Sequence, residues 1–163
     1  MPAGVSEDRA LRELLAKILD WEDAHAGFDA AIAGLAPEHR GVRLKGLPHS
    51  AWELLEHIRI CQRDILEFCR NPSYIELSMK DYWPGSAAPP SASAWEDSVA
   101  SFRRDREALK ELAGDSRLDL FAVVPPGTTQ TYLRELLLAA DHNAYHVGQL
   151  VLVRRLLDSW PAA

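Results

Sequence analysis

Asp141-His142-Asn143-Ala144-Tyr145-His146-Val147-Gly148-Gln149-Leu150 is the stretch whose reading decides the fold. It lies inside a longer run, about Thr131 to Leu157, in which leucines and valines recur at helical spacing. On an α-helix, residues four apart sit one above the other on one face, about 6 Å apart along the axis. His142 and His146 are so placed, and two imidazoles in that relation can grip one ion. Among apolar neighbours they are costly to bury unless something inside the fold satisfies them.

Working outward, three further helical segments precede this one. Ser93-Ala94-Trp95-Glu96 reads as a capping box, and the stripe Trp95, Val99, Phe102, Leu109 and Leu112 runs on to Gly114. Ser50-Ala51-Trp52-Glu53 is a second such box, opening a stripe of Leu54, Ile58, Cys61, Ile65 and Phe68 that Asn71-Pro72 stops. The first segment is expected from about Ser6 to Leu35, capped by Ser6, with Leu11, Leu14, Ile18, Trp21, Phe28, Ile32 and Leu35 on its inner face. His25 interrupts that face and reads as a core histidine bonded to a neighbour.

With no period-two alternation of any length, the chain is expected to be all-α, a four-helix bundle in a single domain over residues 1–163. The connections are long, so the topology need not be simple up-down-up-down. Leu118 to Val124 is either a short strand or an extended connection ending at Pro125-Pro126. Residues 71–92 carry Tyr74, Ile75, Met79, Tyr82 and Trp83, and read either as a flap over an open bundle end or as a lid that closes over a pocket.

The formal net charge is −6, with acidic and basic residues interspersed, which leaves no basic stripe to neutralise phosphates. Nucleic acid is therefore not an expected partner. No apolar run is long enough to span a bilayer, and Glu7 and Asp8 follow the N-terminus where a signal sequence would be basic, so a cytoplasmic location is expected. Cys61 and Cys69 are eight residues apart in one helix, about 12 Å along its axis, too far to pair. That agrees with a reducing compartment.

The spacing of the histidines limits the chemistry. A zinc protease of the His-Glu-x-x-His kind needs a glutamate directly after the first histidine, and Asn143 stands there, so that reading is rejected. His57 lies three residues after Leu54 and four before Cys61, which turns it inward on the second long helix. Three neutral imidazoles leave a coordination position for water or substrate, the arrangement of catalytic zinc. Gln149 and Glu135, each seven residues from His142, are candidates to orient an imidazole. Cys61, one turn after His57, could reach the ion, although a cysteine in such a stripe is more often a small core residue.

The two motifs together, Ser50-Ala51-Trp52-Glu53-Leu54-Leu55-Glu56-His57-Ile58 and His142-Asn143-Ala144-Tyr145-His146-Val147-Gly148-Gln149-Leu150, make the chain resemble the DinB-like (DinB/YfiT-like) superfamily over nearly its whole length. The resemblance implies a four-helix bundle with an unusual connection order and a divalent metal, zinc or nickel, on His57, His142 and His146. It also implies a homodimer. Members with assigned chemistry are largely thiol-dependent transferases and isomerases, which points to a small-molecule substrate and a low-molecular-weight thiol as partners. Metal-dependent hydrolysis and a non-catalytic, stress-related metal-binding bundle are the alternatives, the latter favoured by a fourth protein ligand such as His25 or Cys61.

Overall fold

The computed structural model describes residues 3–161 and contains five α-helices. These are α1 (Ala3–Ile18), α2 (Phe28–Ile32), α3 (Ala51–Arg70), α4 (Ala94–Gly114) and α5 (Tyr132–Leu156), with 3-10 turns at Pro37–His39 and Met79–Tyr82. The four long helices form the bundle, and α2 is a short addition against α5. Among the described residues the sole extended pairing is an isolated bridge between Val123 and Thr131, so Leu118 to Val124 is a connection and not a strand. No described helix is long and apolar enough to cross a membrane.

The directions of the helices follow from who meets whom. Along α3 and α4, Gln62 Nε2 donates to the Phe102 carbonyl, Arg63 reaches Asp105, and Arg70 donates to the Ala108 carbonyl. Both numbers rise together, so α3 and α4 are parallel. Leu54, Leu55 and Ile58 share a core with Val147, Leu150 and Val153, whereas Ile65, Leu66 and Cys69 share one with Tyr132, Leu136 and Ala139, which makes α5 antiparallel to α3. Arg12 of α1 caps the far end of α4 at the carbonyls of Ala113, Asp115 and Leu118, and Asp20 pairs with Lys110. The bundle is therefore up-down-down-up.

Two parallel neighbours require the chain between them to travel back the length of a helix, about 30 Å for twenty residues. Residues 71–93 do this as a strap laid against α3. Tyr74 lies on Phe68 and Asp64, Tyr82 meets Asp64 and His57, and the Ala87 carbonyl accepts from Ser50 Oγ. A Cβ on Gly41 would run into the Cβ of Ala88, so glycine lets the first connection pass close by. The aromatic stretch thus runs along α3 and lays Trp83 on His57.

Local expectations hold unevenly. The box at the start of α3 forms as expected: Ser50 Oγ accepts from Glu53 N, and Ser50 N donates to Glu53 Oε2. The one expected at Ser93 does not, because Ser93 already has helical backbone angles (φ −87°, ψ −18°) and Glu96 is drawn off to Arg40. The first segment is not one helix from Ser6 to Leu35. It is helical from Ala3, the side chain of Ser6 lies outside the described residues, and it breaks between Ile18 and Phe28. Asp20, Trp21, Asp23, His25 and Gly27 are weak helix formers, and four of the five are exposed, so packing does not compensate. Leu15 in α1 and Leu19 just past its end are buried, whereas Leu14 is half exposed.

The core is divided into two apolar halves. Between them runs a polar layer in which Asn143 Nδ2 donates to Gln62 Oε1 over 2.9 Å and Gln62 Nε2 donates to the Phe102 carbonyl over 2.8 Å. Gln62 is wholly buried and Asn143 nearly so, so each bond stands in place of lost water. This layer fixes the register of α3 against α5, and His57, Cys61, His142 and His146 lie on the same seam.

Candidate metal centre

Antiparallel packing of α3 and α5 brings the three histidines together. The ring of His57 lies 4.5 Å from that of His146 and 5.0 Å from that of His142, and the latter two are 4.5 Å apart, centre to centre. His57 and His146 are each 8 % exposed. His57 Nε2 and His142 Nε2 face each other at 3.2 Å.

The outer contacts decide where the protons sit. His57 Nδ1 is 2.7 Å from the carbonyl oxygen of Tyr82, which can only accept, so Nδ1 carries the hydrogen and Nε2 presents its lone pair to the cluster. His146 Nδ1 is 2.8 Å from Gln149 Oε1, which leaves its Nε2 free in the same way. These are the partners that metal-bound histidines use to fix ring orientation. His142 Nδ1 and Asn143 Oδ1 are buried without a bonded partner.

Burial holds all three imidazoles below their ordinary value. His142 is lowered to about 4 by desolvation, with the charges of His146 and His57 adding to it. Desolvation likewise lowers His57 against the opposing pull of the Tyr82 carbonyl, and lowers His146 against its bond to Gln149. All three are neutral at pH 7, the state in which imidazole is a ligand.

Cys61 joins the group from one turn along α3. Its Sγ is 3.5 Å from His57 Nδ1 and 3.8 Å from His57 Nε2, and the donor atoms of His57, Cys61 and His142 all lie within 4.8 Å of one another. The thiol is free, and burial, followed by the charge of Asp64, pushes it up to about 12. An ion would therefore have to displace its proton. Neutral imidazoles, two of them with the Nδ1 hydrogen committed, beside a thiol make a donor set that fits a divalent transition metal.

The strap closes one side. Trp83 stacks on His57 with ring centres 3.8 Å apart and planes 2° from parallel, and His49 stacks on the same indole at 3.8 Å and 13°. Tyr74 and Tyr82 both donate their hydroxyls to Asp64, each over 2.9 Å. Burial and that carboxylate raise both phenols, Tyr82 up to about 12, so both remain donors.

The rings of His57, His142 and His146 thus come together, while the donor atoms that cluster within 4.8 Å are those of His57, Cys61 and His142 and do not include His146, whose Nδ1 meets Gln149. Glu135 is no orienting partner: it pairs with Arg134 and lies near Cys69, away from the imidazoles. His25 is exposed in the break after α1, its Nδ1 3.1 Å from the Ala26 carbonyl, and is no core residue. Trp83, Asp64 and His49 went unassigned in the sequence, since they reach the site through the path of the strap and not through helical periodicity.

A family model described as the DinB superfamily matches residues 20–150, and the chain belongs to that superfamily. The match takes in α2, α3, the strap, α4 and most of α5, including every residue of the cluster. No curated protein and no solved structure matches the chain.

Proposed function

We propose that this DinB-superfamily protein is a divalent-metal-dependent enzyme of the thiol-dependent transferase or isomerase type, with zinc or nickel held by His57, His142 and His146. The observation that carries the reading is the 3.2 Å approach of His57 Nε2 to His142 Nε2 while the Nδ1 hydrogen of His57 is committed to Tyr82. In the metal-free protein His142 Nε2–H can donate to the His57 Nε2 lone pair, and with its hydrogen moved to the unpartnered Nδ1 both Nε2 atoms would face one cation.

A divalent ion there would lower the pKa of a bound thiol or water and so supply a strong nucleophile at neutral pH. The chain's own residues supply the rest. Gln149 and the Tyr82 carbonyl hold the His146 and His57 rings in one tautomer and orientation. Trp83 covers His57 and excludes water from that side. His142, the least covered of the three, marks the open side on which a small electrophile and a low-molecular-weight thiol would approach. A hydrolase would use the same residues with water as nucleophile.

A homodimer belongs to the same reading. Leu137, Tyr145, Leu152 and Leu156 are 44–64 % exposed within one arc of α5, an apolar stripe suited to a second copy. The free, unpaired Cys61 and Cys69 suit the reducing cytoplasm. The test is turnover of a panel of small electrophiles by metal-loaded protein with and without added thiol. Turnover that requires both metal and thiol supports transfer; turnover that needs metal alone replaces it with hydrolysis.

A further inference from the structure

We propose that Asn143 is the positioning residue for His142: its Oδ1 is the acceptor kept for the Nδ1 hydrogen that His142 carries when its Nε2 binds the ion. The proposal rests on the reading above that the histidine cluster holds a divalent cation. The other two histidines already have such acceptors, the Tyr82 carbonyl for His57 and Gln149 Oε1 for His146. His142 is the one of the three whose Nδ1 has no bonded partner among the described residues. A metal-bound imidazole almost always donates its outer N–H to an acceptor that fixes the ring.

The orientation of the Asn143 amide follows from a chain of bonds that starts on α4. The Phe102 carbonyl can only accept, so the end of Gln62 that meets it over 2.8 Å is Nε2. Gln62 Oε1 is therefore the end turned to α5, and the Asn143 atom 2.9 Å from it is Nδ2. What remains is Asn143 Oδ1, a buried acceptor with no bonded partner among the described residues, next in sequence to the unpartnered His142 Nδ1. The metal-free tautomer accounts for both. With the hydrogen of His142 on Nε2 and donated to His57 Nε2, Nδ1 is an acceptor too, and two acceptors do not bond. A cation on Nε2 displaces that hydrogen to solvent, Nδ1 takes one up from solvent, and the ring stays neutral. Nδ1–H and Oδ1 are then a donor and an acceptor, so loading the site satisfies two buried groups that are otherwise unpaired. Desolvation and the charges of His146 and His57 lower His142, and the Asn143 side chain works the other way, as an oxygen acceptor beside the ring does.

The test is zinc loading of the full chain carrying isotope-labelled histidine, with tautomers read from long-range proton–nitrogen spectra and zinc affinity from competition with a chelator, in wild type, Asn143→Leu and Asn143→Asp. On loading, His142 of wild type is expected to pass from the Nε2–H to the Nδ1–H tautomer. Asn143→Leu is expected to bind zinc about 10- to 100-fold more weakly. Asn143→Asp keeps an acceptor oxygen and loses only the hydrogen given to Gln62, so it should bind zinc far more tightly than Asn143→Leu, although both variants unfold at lower urea than wild type. A purely structural role would weaken zinc binding in both variants alike. That result, or zinc-bound His142 with its hydrogen still on Nε2, overturns the proposal and leaves the three-histidine site standing. Should either variant fail to fold, the wild-type spectrum decides. Wild type that takes up no zinc overturns the metal reading and this proposal with it.

Discussion

The Nδ1–H of His57 donates to the main-chain carbonyl of Tyr82 over 2.7 Å, joining a buried imidazole on α3 to the strap that passes over it. The strap holds its place because the hydroxyls of Tyr82 and Tyr74 both donate to Asp64, seven residues further along α3. Orientation of His57 therefore depends on a carboxylate that does not touch it.

Asp64→Ala removes the common acceptor and frees the strap. Metal affinity, measured by competition with a chromophoric chelator, is expected to fall about 10- to 100-fold, the range for losing partners that orient a ligand. Tyr82→Phe, which keeps the carbonyl and loses one hydroxyl bond, is expected to fall less. Equal affinities in all three proteins would contradict the coupling.

The imidazoles also predict how the metal-free protein responds to acid. His142 is lowered from 6.5 to about 4 in the folded chain, and His57 and His146 are lowered as well. The unfolded chain then binds protons more readily than the folded one, so this stability is fully present above about pH 6.5 and is lost as pH falls from there toward 4. Urea unfolding in the presence of chelator, repeated across that range, should give a midpoint that falls with pH; a flat profile would mean that the rings are not buried neutral.

In the polar layer, Asn143→Leu leaves Gln62 Oε1 buried without its donor and is expected to cost about 1–3 kcal/mol by chemical denaturation. Gln62→Leu in the same chain should recover part of that cost, since removing both partners is milder than orphaning one. Simple additivity of the two substitutions would show that they do not share a bond.

Trp83 gives an optical readout. Its indole is stacked on His57, whereas the other four tryptophans of the chain lie elsewhere. Metal addition to wild type should change tryptophan emission, and Trp83→Phe should remove most of that change while retaining binding. An unchanged response in Trp83→Phe would place the reporting indole outside the centre.

The sequence made the bundle legible because α3, α4 and α5 carry apolar stripes long enough to survive small errors of phase, and because Ser50 and Pro72 mark both ends of α3. His142 and His146 were legible for the same reason: a spacing of four on a helix is a statement about geometry. The break after Ile18 was not, since the apolar positions Trp21 and Phe28 keep helical step across residues that pack against little. Ser93 matched a capping pattern whose backbone condition is invisible in the letters. Asp64 and Trp83 could not be assigned before α3 and α4 were known to be parallel, because only that arrangement sends residues 71–93 back across His57.

Elemental analysis of untagged protein, set beside His57→Ala, His142→Ala and His146→Ala, tests the central claim most directly. The account predicts about one divalent ion per chain in the parent, as a single three-histidine site requires, with loss in each folded variant. Metal content that is unchanged in the variants, or a parent that takes up no metal on reconstitution, would contradict it.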